Sequence, residues 1–285
     1  MPAPVPPQAV HDEERKHWAG VAKGWGKHSA WMAKTSAPVT ERMLDLAQIG
    51  EGSNVLDVAC GAGEPALSAA LRVGKTGRVV AVDLSAEMLA QARQAAERRG
   101  LGNVEFRCTP GERVDELDGP FDAVTCRWGL MFIPEPATFL QKAHALLRAK
   151  KRVCLACWQK PERVPFTSLL KQLTGKYITL PELPEDAPSM FRFADPDRLR
   201  SLLTRAGFAR VELDSVRFDF IQVKTAQDYV AIMRDLSPSL RDALARLDPS
   251  KHRALFDDAK KAVEAYRVGD EIRVGGTTWI AWGEK

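Results

Sequence analysis

The sequence has few cysteines, almost balanced charge and no long apolar run, and each shortage excludes a class of protein. Its 285 residues include five cysteines scattered through apolar segments. An odd, scattered set argues against a disulfide framework and indicates a reducing compartment. Basic residues exceed acidic ones only by 41 to 37 and are dispersed, whereas nucleic-acid-binding surfaces concentrate their charge. Because no apolar stretch approaches membrane-spanning length, we expect a cytoplasmic protein with no nucleic-acid partner and no membrane span.

Residues 1–10 (MPAPVPPQAV) have neither the basic start nor the long apolar core of a secretory signal, and their prolines predict a disordered tail. The chain as a whole is 45% apolar, which is enough for a packed core. Its length accommodates one large domain or a domain with a cap.

The segment Asn54–Pro65 (NVLDVACGAGEP) has the pattern of a buried strand, a glycine turn and a helix start. Gly61 and Gly63 allow a sharp turn and close approach of the backbone to a ligand. A second apolar strand, Arg78–Val82, is followed at once by Asp83. At this spacing in a βαβ unit an acidic side chain can bind ribose hydroxyls. The pattern therefore predicts a nucleoside site; a glycine turn that only packs helix on strand is the structural alternative.

Strand and helix periods alternate downstream of this segment. Helices are predicted at Ala86–Arg99 and Ala137–Leu147, and strands at Val104–Arg107, Asp122–Cys126 and Arg152–Trp158. A further strand is predicted at Ala209–Asp214. Such alternation is typical of an α/β fold whose doubly wound, mostly parallel sheet carries helices on both faces. Ligands of these folds bind at the carboxyl ends of the strands.

The glycine turn matches the dinucleotide fingerprint over Gly61–Ala66, but two residues disfavour a pyrophosphate. Glu64 places negative charge where the phosphates would lie, and Pro65 lacks an N–H group that phosphates use there. Asp57 adds a second carboxylate, and no lysine or arginine is close in sequence. These residues favour a cationic nucleoside cofactor, S-adenosylmethionine, over the NAD of an oxidoreductase, which is the alternative.

Four linked segments resemble the class I S-adenosylmethionine-dependent methyltransferases, and in particular the branch similar to the ubiquinone/menaquinone-biosynthesis C-methyltransferases: VLDVACGAGEP, VVAVDLSAEMLAQAR, NVEF and FDAVTCRWGLMFIPEP. The resemblance is strong over Val39–Trp158 and weaker over Phe191–Phe208. It implies a seven-stranded, Rossmann-like sheet whose last strand is antiparallel, with a helical insertion at about 225–268 between strands six and seven.

The sequence and the resemblance together divide the chain into functional segments. After the tail we expect a helical lid at 11–50, the cofactor-binding core at 51–160, an insertion over the site at 161–194, and the final strands at 195–285. Because Gly20, Gly24 and Gly26 interrupt the first of these segments, we do not expect one rigid helix there.

The resemblance also implies roles for residues around the glycine turn. Asp83 would accept hydrogen bonds from the ribose hydroxyls, and Leu84 and Met88 would flank the adenine, although Met88 equally suits core packing. Asp57 would hold the ligand ammonium, directly or through water, or else hydrogen-bond its own loop. Close backbone approach is expected at Ala59, Gly61 and Gly63.

At the adenine edge the chain departs from the family. After the strand NVEFR the family usually has Gly-Asp-Ala, and its aspartate reads the adenine amino group. Here the segment is Cys108-Thr109-Pro110-Gly111-Glu112, with proline in place of that acid. Base recognition would then use the backbone N–H groups of Gly111 or Glu112, or the Glu112 side chain.

The remaining candidates concern the methyl donor and acceptor. Arg127 follows the fourth strand and would bind a carboxylate of the methionine moiety or of the acceptor; a structural ion pair is the alternative. Trp25 and Trp31 are lid candidates that could face the sulfonium, whereas Trp18 suits helix packing. His28 is the only histidine that we would test as a base.

No cluster of metal-ligand spacing is present, so no metal is expected. Cys154 and Cys157 lie three apart on a strand and therefore point to opposite faces.

We expect methyl transfer from S-adenosylmethionine to carbon or oxygen of a small, largely apolar acceptor. A protein of the same fold that binds the cofactor without transferring its methyl group is the alternative from another class. A homodimer is compatible with either.

Overall fold

In a computed structural model, which describes residues 7–180, 184 and 186–285, a mostly parallel sheet is covered by helices on both faces. Its strands are β1 Asn54–Val58, β2 Arg78–Asp83, β3 Val104–Cys108, β4 Phe121–Arg127, β5 Leu147–Trp158, β6 Arg210–Val223, β7 Arg267–Val268 and β8 Glu271–Glu284. The order is β3-β2-β1-β4-β5-β8-β6, and the two-residue β7 pairs with β8. Strand β8 runs antiparallel to both β5 and β6. The predicted doubly wound sheet with an antiparallel last strand is thus confirmed.

The helices are α1 Pro7–Thr35, α2 Ala37–Leu46, α3 Ala66–Val73, α4 Ala86–Arg98, α5 Pro136–Leu146, α6 Pro165–Thr174, α7 Pro196–Arg205, α8 Ala226–Leu236, α9 Pro238–Arg246 and α10 Pro249–Val263. Short 3₁₀ turns lie at Gly111–Glu116, Leu130–Phe132, Pro161–Arg163 and Glu264–Tyr266. The predicted helical insertion is three helices, because Ser237 and Asp248 each cap a new helix that starts with proline. None of the described helices is long and apolar enough to cross a membrane.

The sheet reverses its winding beside β1. Strands β1, β2 and β3 are laid out in one direction, and the chain then returns so that β4 pairs with the other side of β1. A crevice opens at such a switch point, outside the carboxyl ends of the strands. The loops that follow β1, β2, β3 and β4 therefore converge on one place.

The N-terminal segment corrects the sequence analysis. It forms one continuous helix of 29 residues, and its glycines are contact points. A side chain at Gly24 would collide with the backbone carbonyl of Asp235, and one at Gly26 would collide with Gln91. The helix tolerates these glycines because α8 and α4 pack closely against them. It begins at Pro7, so residues 7–10 of the expected tail are helical, while residues 1–6 lie outside the described residues.

Two further segments differ in extent from the prediction. Strand β6 was expected to end at Asp214 but runs to Val223, because it pairs with the equally long β8 as far as Ile272. The expected insertion at 161–194 contains helix α6, and residues 181–183 and 185 within it lie outside the described residues.

Candidate functional site

A crevice of about 840 Å³ lies at the carboxyl ends of β1 to β4, and helix α1 covers it. Nine of the twelve residues proposed from sequence line it: Trp25, Ala59, Gly61, Asp83, Leu84, Met88, Gly111, Glu112 and Arg127. The other three, Asp57, Gly63 and His28, do not line it. This first crevice thus gathers residues that are as far apart in the chain as Trp25 and Arg127.

Asp83 is the central acid of the first crevice. Its Oδ2 accepts a hydrogen bond of 2.9 Å from the N–H of Gly61, and its Oδ1 accepts one of 2.9 Å from the N–H of Ser85. Burial raises the pKa of this carboxyl, and the backbone donors partly offset the rise. Each carboxylate oxygen keeps a second lone pair, so the side chain fixes its own loop and can still accept from ribose hydroxyls.

Asp57 lies beneath the glycine turn, outside the first crevice. It is fully buried and accepts from the Thr125 hydroxyl (2.7 Å) and from the N–H of Ala66 (3.1 Å). The interpretation of Asp57 as an ammonium ligand is therefore replaced by the alternative, a buried acid that holds its own loop. Gly63 is likewise structural, since at φ +121° a side chain there would collide with Leu67.

The start of α3 offers no free donors to a phosphate. The N–H of Ala66 bonds to Asp57, that of Leu67 to the carbonyl of Gly63 (2.8 Å), and that of Ser68 to Glu64 (3.4 Å). Phosphates bound at a helix N-terminus require these groups. The structure therefore agrees with the exclusion of a dinucleotide.

The view of the site as free of basic residues needs correction. Arg99 forms an ion pair of 2.6 Å with Glu64, whose other oxygen accepts from Ser68. This arginine lies on the turn after α4 and reaches Glu64 only through the fold. The positive charge of Arg99 therefore offsets the negative charge of Glu64, and the first crevice is less acidic than the sequence alone indicates.

Arg127 lies at the opposite side of the first crevice from β3. Its Nη1 donates to the hydroxyls of Ser36 and Thr40 at 2.7 Å each, and its Nη2 donates to the carbonyl of Glu64 at 3.3 Å. The guanidinium lies 4.7 Å from the ring centre of Trp128. Among the described residues no carboxylate forms an ion pair with Arg127. The structure therefore does not support the alternative of a structural ion pair.

Helix α1 supplies four residues to the first crevice, of which only Trp25 was proposed as a ligand contact: His11, Glu14, Trp18 and Trp25. Trp18 packs edge-on against Trp25 and donates to Glu14 at 3.0 Å. The positions 11, 14, 18 and 25 follow one face of a helix. This periodicity could have revealed the face, but the glycines discouraged a helical reading.

The candidate base His28 and the lid candidate Trp31 lie away from the first crevice. His28 lines neither crevice, and its Nε2 is 2.8 Å from a carboxylate oxygen of Asp235 on α8, which corrects its interpretation as a catalytic base. Trp31 packs toward Phe220, with ring centres 6.3 Å apart, and lines neither crevice.

A second crevice of about 350 Å³ adjoins the first and shares Trp25, Cys60, Glu64, Arg127 and Trp128 with it. Its remaining lining residues come from α1 and the residue that follows it, from the glycine turn and from β6: Ser29, Met32, Ala33, Ser36, Ala62 and Phe220. Trp128 has a left-handed φ of +58°. Its ring stacks on Trp158 at 4.4 Å, and its Nε1 donates to Thr278 at 3.1 Å. Strained backbone of this kind is found preferentially at functional sites.

Two residues that line the first crevice each carry a buried polar atom with no partner among the described residues: Glu112 at Oε2 and Arg127 at Nε. Buried polar atoms are almost always paired in folded proteins. An acceptor at one side and a donor at the other suit a ligand with an amino group at one end and a carboxylate at the other. S-adenosylmethionine has both, so the residues present fit it.

Comparison with known proteins agrees with this geometry. The methyltransferase domain family matches residues 55–150. A demethylmenaquinone methyltransferase from Geobacillus kaustophilus is 30% identical over 188 residues, which span 62% of this chain and 80% of that protein. The ubiquinone/menaquinone biosynthesis C-methyltransferase UbiE from Pseudomonas putida is 28% identical over 213 residues, spanning 70% and 78%. The crystal structure of the YcgJ protein from Bacillus subtilis has a TM-score of 0.55, covering 86% of this chain and 97% of that one at 16% identity.

The sheet order, with a crevice at its switch point, defines a Rossmann-like methyltransferase fold of class I. The chain belongs to the S-adenosylmethionine-dependent methyltransferase family, and it is an enzyme of that family.

Proposed function

We propose that this chain binds S-adenosylmethionine in the first crevice and transfers its methyl group to carbon or oxygen of a small, largely apolar acceptor in the second. The observation that carries the proposal is the junction of the two crevices at Trp25, Arg127 and Trp128. A donor in one crevice and an acceptor in the other would meet there.

The charged groups support one orientation of the cofactor. Asp83 is the last residue of β2 and suits the ribose, which lies between the base and the amino acid. Arg127, the last residue of β4, suits the methionine carboxylate, since its Nε is buried and unpaired among the described residues. Burial lowers the pKa of this arginine and makes its lack of a carboxylate partner more costly. The adenine would then extend toward β3 and Glu112.

The cofactor supplies an activated methyl group on a sulfonium, and the protein's contribution is alignment and exclusion of water. Trp25 and Trp128 border both crevices, and aromatic faces attract a cation placed over them. The titratable residues that line the second crevice are Cys60, Glu64 and Arg127. Since Glu64 is paired with Arg99, we propose an acceptor acidic enough to lose its proton without a dedicated base.

The acceptor side supports a small molecule. Met32, Phe220 and the two tryptophans give the second crevice an apolar wall, and the Ser29 and Ser36 hydroxyls offer a few polar contacts. The Pseudomonas putida relative is named a C-methyltransferase of ubiquinone and menaquinone biosynthesis, which favours carbon over oxygen as the methylated atom.

Two measurements test the proposal. Calorimetric titration should show binding of S-adenosylmethionine and none of NAD. Incubation of the protein and methyl-labelled cofactor with a metabolite extract, followed by mass spectrometry, should yield a labelled small molecule and S-adenosylhomocysteine. Binding without any labelled product across broad extracts would favour the non-transferring alternative, and binding of NAD alone would overturn the proposal.

A further inference from the structure

We infer that Thr278 is a positioning residue for methyl transfer, because its hydroxyl fixes the indole of Trp128, the ring that borders both crevices. The inference rests on the proposed function, in which donor and acceptor meet at this ring. Thr278 lies on β8, is fully buried and lines neither crevice. It is 150 positions from Trp128 along the chain, so only the fold brings the two side chains together.

The backbone of Trp128 has an unfavourable conformation. Its φ of +58° lies in the left-handed region, which bulky residues rarely adopt. Close packing of the next residue fixes the path of the chain, since a side chain at Gly129 would collide with Cβ of Ala59 in the glycine turn. Strain of this kind persists only where the surroundings hold the residue in place. Contacts of the indole are therefore needed to keep the ring in its orientation.

The contacts of the indole are of two kinds. Its ring lies nearly parallel to that of Trp158 (4.4 Å between centres, 14° between planes) and to that of Phe218 (5.8 Å, 7°). Stacking fixes the plane of the ring, but apolar contact is not directional and leaves rotation within that plane free. The hydrogen bond of 3.1 Å from Nε1 to the hydroxyl of Thr278 is directional. This bond therefore determines which edge of the indole faces the crevices.

The hydroxyl of Thr278 is itself oriented to accept from the indole. It donates to the carbonyl of Cys157 at 2.8 Å, and the carbonyl of Trp279 is a second acceptor at 3.2 Å. Because a hydroxyl has one hydrogen and two lone pairs, a lone pair remains for Nε1 of Trp128. Valine has the shape of threonine but cannot accept, so it would leave the indole N–H without a partner, which is costly. The ring would then turn toward another acceptor or toward water.

Such a turn should impair methyl transfer more than cofactor binding. Alignment of donor and acceptor is sensitive to small displacements, and a misplacement of about 1 Å can cost about 100-fold in rate. The groups proposed to hold the cofactor, Asp83 and Arg127, are fixed by hydrogen bonds of their own that do not involve Thr278. Loss of the Thr278 hydroxyl should therefore act on the reaction and leave the cofactor in place.

The test measures labelled product from methyl-labelled S-adenosylmethionine, with one preparation of the metabolite extract as the source of acceptor. Thr278→Val should lower the initial rate at saturating cofactor by about tenfold or more. The Kd of S-adenosylhomocysteine, measured by titration, should change by less than about threefold. Thr278→Ser keeps the hydroxyl and should retain most of the wild-type rate. Thr277→Val is the matched control, since it makes the same change at the neighbouring buried residue of β8, which lines neither crevice.

A double-mutant cycle separates positioning from a merely structural role. Trp128→Phe keeps an aromatic ring but removes the N–H group, so it should itself lower the rate by about tenfold. On that background Thr278→Val should cause a further loss of less than about twofold, because the hydrogen bond is already absent. If Thr278 acted only through the stability of the sheet, the two losses would multiply, and that result would overturn the inference.

The outcomes separate the inference from the proposed function. If the wild-type protein yields no labelled product, the proposed function fails, and a role of Thr278 in methyl transfer fails with it. If the wild type yields product and Thr278→Val keeps its rate, the inference alone is overturned. An equal loss in Thr277→Val would also overturn it. Should Thr278→Val not fold, Trp128→Phe provides the test, and a wild-type rate of that variant would contradict the inference.

Discussion

The two crevices of this enzyme are built from different kinds of sequence. The first is formed mainly by loops of one segment, residues 58–134, and by one face of α1. The second depends on residues as distant as Ser29, Ala62 and Phe220. The proposed cofactor site is composed of consecutive strand-end loops, so its residues follow a recognisable pattern along the chain. The proposed acceptor site is assembled across elements and follows no such pattern, because its residues become neighbours only after folding.

The two sides are also held differently. Around the first crevice, Asp57 and Asp83 accept hydrogen bonds from backbone N–H groups in the segments that follow β1 and β2. The wall of the second crevice is a stack of aromatic rings, in which Trp128 packs on Trp158 and Phe218. We therefore expect substitutions around the first crevice to change cofactor affinity by removing hydrogen bonds. Substitutions around the second crevice should change acceptor binding by altering the shape of that crevice.

The largest effect is expected for Asp83→Ala. It removes the acceptor for two backbone donors and for the ribose, and charge-assisted hydrogen bonds contribute about 1.5–3 kcal/mol each. Titration should show at least a roughly 100-fold loss of affinity for S-adenosylmethionine. Asp118→Ala, at an exposed carboxylate whose side chain is 85% accessible, is the control. Unchanged affinity of Asp83→Ala would remove the basis for the nucleoside site.

A second prediction concerns Asp57, which lies beneath the glycine turn, and the pH dependence of the free energy of unfolding. Burial raises the pKa of Asp57 to about 7, above its ordinary value near 4. The folded state therefore holds a proton that the unfolded state releases, and stability falls as pH rises from about 4 to 7. Between pH 5 and pH 7 the free energy of unfolding should fall by about 2 kcal/mol more in the wild type than in Asp57→Asn. Urea unfolding measures this, and parallel pH profiles would contradict it.

Arg127→Met tests the side of the first crevice that borders the second. The variant should bind S-adenosylhomocysteine roughly 10-fold more weakly, because the carboxylate loses its charged donor. Adenosine, which lacks the amino acid, should bind equally well to both proteins and serves as the internal control. Equal loss for both ligands would show instead that Arg127 acts through its anchoring of Ser36 and Thr40.

The smallest effect is expected for Phe220→Leu, which changes the shape of the second crevice alone. Steady-state kinetics with an acceptor found by the labelling screen should show KM for that acceptor raised by about threefold to tenfold, with cofactor affinity unchanged. Phe256→Leu, on helix α10 and lining neither crevice, is the control. A change in cofactor affinity without a change in acceptor KM would contradict the division between the crevices.

The sequence predicted the core because local signals and tertiary structure agree there. Periodicity predicts the strand before Gly61, and spacing along the chain predicts the acid at the end of β2. Helix α1 was misread because helix propensity penalises glycine, whereas close packing against Asp235 and Gln91 compensates for that penalty. The pairing of Glu64 with Arg99 and the burial of Glu112 depend on contacts that spacing along the chain does not encode.

The attachment of α1 to α8 has a consequence for engineering. Trp25 donates to the carbonyl of Leu236, Lys27 and His28 both reach the carboxylate of Asp235, and Gly24 leaves room for that residue's backbone. The two helices therefore form a single exchangeable part, although nearly 200 residues separate them in the chain. A chimera that imports the first helix from a relative to change acceptor preference must import its partner helix as well. Otherwise the imported helix will lack its contacts with α8, and the chimera will be less stable than the original protein.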